Sequence, residues 1–177
     1  WVALFRMLRY FSEVEFTLSE CLYILAYMYV FIVIGAVSFL VAHEIFHKPG
    51  FFNRALGTLH MSKVLYMHFT IEHLYGHHKN VSTPLDPASA AKGVTLYSFV
   101  PKSVIGSWLS AFNIDKSRGK PVYLNGAVLS IVSSVLFVGL IWKFYGAVPT
   151  AAFIVYALGS IFYLENINYI EHYGLRR

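Results

Sequence analysis

CLYILAYMYVFIVIGAVSFLVA, residues 21 to 42, carries no charged side chain. As a helix this run of about 22 residues reaches about 33 Å, enough to cross the hydrocarbon core of a bilayer. It ends on HEIFHK, residues 43 to 48, so a histidine motif stands at the mouth of a membrane span. Two further runs have the same character. Residues 122 to 142, VYLNGAVLSIVSSVLFVGLIW, are uncharged and are followed by Lys143; residues 149 to 164, PTAAFIVYALGSIFYL, continue through Glu165 to Tyr169. The short link from Lys143 to Val148 folds these two as an antiparallel hairpin.

Composition points the same way. Hydrophobic residues make up 57% and charged residues 13% of the 177, against about 25% charge in a soluble domain. The length allows one domain. The formal charge of +5 is spread along the chain, which marks membrane orientation and excludes a nucleic-acid footprint. The single cysteine, Cys21, excludes an intramolecular disulfide framework and a thiolate-rich metal site.

Between the spans the reading is of surface segments. Residues 51 to 75 are apolar but contain Arg54, His60, Lys63, His68, Glu72 and His73. A full crossing there would put the flanking histidines on opposite faces, about 30 Å apart. An interfacial or re-entrant helix keeps them together and tolerates Lys63. Residues 92 to 112 read as another surface helix, broken by Pro101. The expected fold is all-α: a polytopic membrane helix bundle of about three spanning helices with interfacial or re-entrant segments. Lys48, Arg54, Lys116, Arg118, Lys120, Arg176 and Arg177 then share one side with the histidines, and that side is expected to be cytoplasmic. Arg6 and Arg9 do not fit this pattern and are expected to belong to the end of an earlier helix whose body lies outside residues 1 to 177.

Six of the eight histidines lie in three motifs: HEIFH at 43 to 47, EHLYGHH at 72 to 78 and NYIEHYG at 168 to 174. His43 and His47 are four apart, about 40° around a helix and one turn along it, so two imidazoles can share a metal. His73 and His77 repeat that spacing, and His78 points about 100° away from His77. Gly76 either leaves space beside the cluster or ends the helix. Glu44, Glu72 and Glu171 each neighbour a histidine, either as ligands or as acceptors that fix ring orientation. His60 and His68 read as ordinary amphipathic residues. HEIFH also matches the H-E-x-x-H pattern of zinc proteases, with Glu44 as base, and Asp86 would be the candidate third ligand. That reading leaves His73, His77, His78 and His172 without a role. Six imidazoles exceed one tetrahedral zinc and suit two metals; imidazole-rich ligation is compatible with iron.

HEIFHK, EHLYGHH followed by KNVSTPLDPASA, and NYIEHYGL together resemble the integral-membrane alkane 1-monooxygenases, part of the wider membrane fatty-acid desaturase and hydroxylase group. The resemblance implies a non-haem diiron site, two iron ions with O2 as co-substrate, and hydroxylation of the terminal C–H of medium or long-chain alkanes. It implies electrons from a rubredoxin, reduced by an NAD(P)H-dependent rubredoxin reductase, and a bacterial inner membrane with the metal on the cytoplasmic side. Carried over by motif, His43, His47, His73, His77, His78 and His172 are iron ligands, and Glu44, Glu72 and Glu171 are supporting carboxylates. Asn168 and Tyr169 place the last motif, and Asp86 pins the loop after the second. Ile45 departs from the group's usual leucine. The group also has a further box, HxxHH, after NYxEHYGL, and this chain stops at Arg177. The expectation is therefore a single partial membrane domain over residues 1 to 177, without the N-terminal helices or the third histidine box, and inactive alone. Tyr27, Phe31, Ile34 and Ser38 follow helical spacing on the first span and are candidates to line an apolar substrate cleft. Alternatives are a sister diiron enzyme acting on fatty acyl chains or aromatic methyl groups, the zinc protease, and a non-enzymatic membrane protein.

Overall fold

The computed structural model describes residues 1–177; its regular elements are all helical, without strands. In chain order the elements are α1 Val2–Glu13, α2 Cys21–Phe46, α3 Phe51–Ser62, α4 Phe69–Glu72, a π-helical turn His73–His77, α5 His78–Asn80, α6 Leu96–Ser117, a 3-10 turn Val122–Leu124, α7 Gly126–Tyr145 and α8 Ala147–His172. Three helices, α2, α7 and α8, are long and apolar enough to cross a membrane, and they are the three runs read from the sequence. Between α7 and α8 only Gly146 intervenes, so the hairpin is tighter than the sequence implied.

α8 is the centre of the bundle and packs on α1, α2, α6 and α7. Its inward face is Phe153, Tyr156, Ala157, Ser160, Ile161, Leu164 and Glu165, at helical spacing. Against α2 the approach is close because the contact residues are small. A side chain at Gly35 would strike the Ser160 hydroxyl, which itself lies 3.2 Å from the Ile32 carbonyl of α2. The outward residues of α7, among them Val132, Val135, Leu136 and Leu140, are exposed and apolar. A helix apolar on every side is at home in a bilayer and not in water.

α1 lays Leu4, Met7, Leu8 and Phe11 on the bundle and turns Arg6 and Arg9 outward. Arg9 pairs with Glu13 at 3.0 Å. These arginines thus belong to a helix of the chain itself.

The 51–75 segment is two pieces, not one helix. α3 ends where Leu65 adopts φ of 56° and the Tyr66 N–H reaches back to the Met61 carbonyl at 3.1 Å, a left-handed helix stop of the kind glycine usually makes. The chain turns there, and α4 follows, packed on α6. α3 keeps Phe51, Phe52 and Leu59 exposed and Met61 buried, as an interfacial helix does. Pro101 does not break α6, which runs unbroken from its Thr95 cap. The donor it lacks would have served the carbonyl of Tyr97, a largely exposed residue in the first turns of the helix, where a missing bond costs least.

Candidate metal centre

The C-terminal ends of α2 and α8 and the segment from 69 to 80 meet at one end of the bundle, and all six motif histidines gather there. On α2, His43 and His47 stand one turn apart with their Nε2 atoms 3.0 Å from each other. The second motif behaves differently from its sequence. Residues 73 to 77 form a π-helical turn, closed by the His78 N–H on the His73 carbonyl. This wider turn places residues five apart above one another. The pair that meets is therefore His73 with His78, Nε2 to Nε2 at 2.9 Å, and not His73 with His77. Gly76 permits it: a side chain there would strike the Glu72 carboxylate and stand 3.0 Å from the Ser110 hydroxyl.

The two pairs face each other. The His43 and His73 rings lie 4.6 Å apart between centroids, and those of His47 and His78 lie 4.9 Å apart. Potential donor atoms of all four fall within 4.8 Å of one another. With metal–nitrogen bonds of about 2.0–2.1 Å, neighbouring nitrogens in one shell sit about 3 Å apart, so the set fits an ion. Burial, aided by the adjacent imidazoles, pushes His73 down to about 2, and the same causes lower His78. Both are then neutral, with a lone pair to offer.

His77 and His172 form a second group, ring to ring at 4.9 Å. The His77 Nδ1 is bonded to the Asp86 carboxylate at 2.9 Å, which leaves Nε2 as its free nitrogen. Burial lowers His77, yet the bond to Asp86 outweighs it and the net direction is upward. Asp86 is itself buried and also accepts from the Ala88 N–H and the Ser89 hydroxyl. It pins the loop, as expected, and orients a histidine as well.

The three glutamates divide. Glu72 is 2% exposed, accepts a bond from Ser110 at 3.3 Å and is raised to about 7, chiefly by burial. The Glu44 and Glu171 side chains are 78% and 61% exposed and lie 3.9 and 4.0 Å from the rings of His43 and His172. The four candidate lining residues of α2 are not brought together. Tyr27 and Phe31 line a cleft beside Tyr10, Ile34 faces outward, and Ser38 turns back onto the Ile34 carbonyl.

Sequence reasoning passed over a buried polar network beneath the histidines. Glu165, 1% exposed within α8, accepts from the Tyr66 hydroxyl at 3.1 Å and from Asn168 at 3.3 Å. Tyr66 and His68 both meet the Ser107 hydroxyl, at 2.9 and 3.1 Å. A carboxylate inside an otherwise apolar span was the signal available. Tyr66 and His68 also line an apolar cleft of about 360 Å³ with Val104, Trp108, Ile131 and Ile161. Tyr66 packs on Phe69, and Phe69 stacks on His73 at 4.8 Å, so one aromatic layer separates cleft and cluster.

The pattern of the fatty acid desaturase family matches residues 21–177. The chain belongs to that family. Within it, the chain is 38% identical over 152 residues to alkane 1-monooxygenase 1 of Pseudomonas aeruginosa, covering 82% of this chain and 40% of the relative. It is 38% identical over 150 residues to the alkane 1-monooxygenase of Acinetobacter baylyi, covering 81% and 37%. A xylene/toluene monooxygenase hydroxylase component of Pseudomonas putida is 29% identical over 157 residues. The chain thus spans about 40% of the length of the relatives it matches. Family, helical architecture and histidine cluster together fit a non-haem iron site in an integral membrane protein.

Proposed function

We propose that the protein to which this chain belongs is a diiron alkane monooxygenase that hydroxylates the terminal C–H of medium or long-chain alkanes. The observation that carries the reading is the gathering of His43 and His47, at the end of a membrane helix, with His73 and His78 of the 69–80 segment, donor atoms within 4.8 Å. His77 and His172 stand beside them. In this reading the six imidazoles hold two irons, completed by ligands from the rest of the protein, and residues 1–177 alone do not turn over. Iron, when bound, supplies O2 activation and the oxidation of an unactivated C–H bond.

The chain's own residues supply the rest. Asp86 holds His77 in one tautomer and one orientation. Glu72, buried next to His73, supports the cluster from within, and Glu44 and Glu171 support it from the rim. An alkane has no polar handle, so it is held by shape. The apolar cleft beside Tyr66 receives it from the bilayer, and the aromatic layer of Tyr66 and Phe69 sets how its end approaches. Discrimination between chain lengths is loose, because one methylene distinguishes weakly.

Electrons come from a rubredoxin served by an NAD(P)H-dependent reductase. The docking face is the basic histidine side, taken as the cytoplasmic side of a bacterial inner membrane. The test is conversion of octane to 1-octanol by the purified protein with O2 and reduced rubredoxin, together with iron content. Zinc without iron, or no alcohol under those conditions, sinks the reading.

A second reading has one specific support, the likeness to the xylene/toluene hydroxylase component. It makes the substrate an aromatic methyl group. Competition between octane and xylene in one assay decides between the two.

A further inference from the structure

The bundle end that carries the histidines holds another cleft, of about 350 Å³, walled by α3, the segment around residues 67 to 75, the end of α6 and the first turns of α7. Arg54, Arg118 and Lys120 line it. Lys120 is already paired, donating to the buried Asp115 at 2.9 Å. The two arginines are exposed, and neither forms an ion pair. The Arg118 guanidinium carbon lies over Tyr75, 3.6 Å from the ring centroid, a cation–π contact that uses none of its N–H donors in an ion pair.

The rest of the cleft has a different chemistry. Ile71 and Leu129 supply apolar wall, and Thr70 and Ser133 supply hydroxyls. Its surroundings mark the membrane interface. Phe51 and Phe52, in the first turn of α3, and Val122 and Tyr123, just ahead of the candidate span α7, are all exposed aromatic or aliphatic groups. An alkane has no use for two unpaired guanidinium groups, and a soluble acidic protein has no use for an apolar wall that opens on lipid. A molecule with a phosphate at one end and an acyl chain at the other uses both.

We propose that this cleft binds one anionic phospholipid, its phosphate held by Arg54 and Arg118 and its acyl chain lying along Leu129 of α7. The ligand belongs to the membrane itself and does not share the histidine site. Basic pockets between membrane helices recognise anionic headgroups in this way.

Native mass spectrometry of the protein in mild detergent tests it, with phosphatidylglycerol and phosphatidylcholine of identical acyl chains as probes. Wild type retains phosphatidylglycerol preferentially, one per protein, and the preference shrinks as salt rises. Arg54→Gln and Arg118→Gln each reduce the preference about fivefold, equivalent to about 1 kcal/mol, and the corresponding lysine variants keep most of it. Equal retention of the two lipids by wild type overturns the proposal, as does an undiminished preference in the double glutamine variant. Displacement by inorganic phosphate also overturns it, since the acyl chain would then contribute nothing. If the glutamine variants do not accumulate, wild type decides alone: a preference insensitive to salt overturns the assignment.

Discussion

His73 and His78 meet at 2.9 Å across a turn one residue wider than an α-helix. The width rests on Gly76, whose missing side chain leaves room for the Glu72 carboxylate. Gly76→Ala forces that carboxylate or the turn to move, at about 1–3 kcal/mol. The expected result is a lower melting temperature together with reduced iron per protein, read by thermal scan and elemental analysis. Unchanged iron content would show that the turn does not set the ligand pair.

The bond from His77 to Asp86 predicts a different signature. Asp86→Asn keeps the size of the side chain but takes the carboxylate away from Nδ1. Loss of such a partner costs about 10–100-fold in metal affinity or activity. Helical content should stay at the wild-type level, because the single amide oxygen of Asn can still accept from the Ala88 N–H, and the position lost is the one that serves Ser89 and His77. A variant with wild-type iron affinity and turnover would reduce Asp86 to a loop residue.

The same pair gives the metal-free protein a pH dependence with a defined sign. His77 is raised above its ordinary 6.5, against burial, by Asp86. Its stabilising share is complete below 6.5 and is lost as pH rises through the raised value. Asp86 is lowered below its ordinary 3.8, against burial, by bonds from His77 and Ser89. Its share is complete above 3.8 and is lost as pH falls through the lowered value. The chelator-stripped protein should gain most from the pair between pH 3.8 and 6.5, and Asp86→Asn should lose that gain in a melting series.

Glu165 predicts an effect on stability. Glu165→Gln still accepts from Tyr66 and should be tolerated. Glu165→Leu leaves the Tyr66 hydroxyl and Asn168 without their acceptor, at about 1–3 kcal/mol for each buried group left unpaired. A leucine variant that melts with wild type would show that water replaces the carboxylate.

The histidines themselves sort by place. Alanine at His43, His47, His73 or His78 removes one of four converging donors and should sharply lower iron content. His60, bonded to Lys63 at 3.2 Å on the interfacial helix, should be replaceable without change in iron. Equal losses at all five positions would point to a general folding defect.

The spans were legible because some twenty apolar residues in a row seldom fold as anything but a membrane helix, but their ends were less so: α2 runs on past Glu44, α7 past Lys143 and α8 through Glu165 and Glu171. The interior of the site was much less so. EHLYGHH reads as α-helical, with His73 and His77 paired, because the i, i+4 rule assumes the common turn; only packing around Gly76 and Glu72 reveals the wider one. Asp86 reaches His77 through a loop, where periodicity carries no information. The turn at Leu65 was invisible because leucine seldom adopts positive φ. Glu44 and Glu171 were legible only in part. Adjacency in sequence marked them as neighbours of His43 and His172, and they lie 3.9 and 4.0 Å from those rings; that their side chains stand at the exposed rim follows from packing, which adjacency does not carry.

Because the π turn sends His78 to one imidazole group and leaves His77 to the other, a single peptide unit ties the two together. Consecutive α-carbons are held about 3.8 Å apart whatever else moves. The backbone origins of the two groups are therefore set together by one turn. A substitution that reset this turn to α-helical geometry would shift both imidazole groups at once, rather than either one alone.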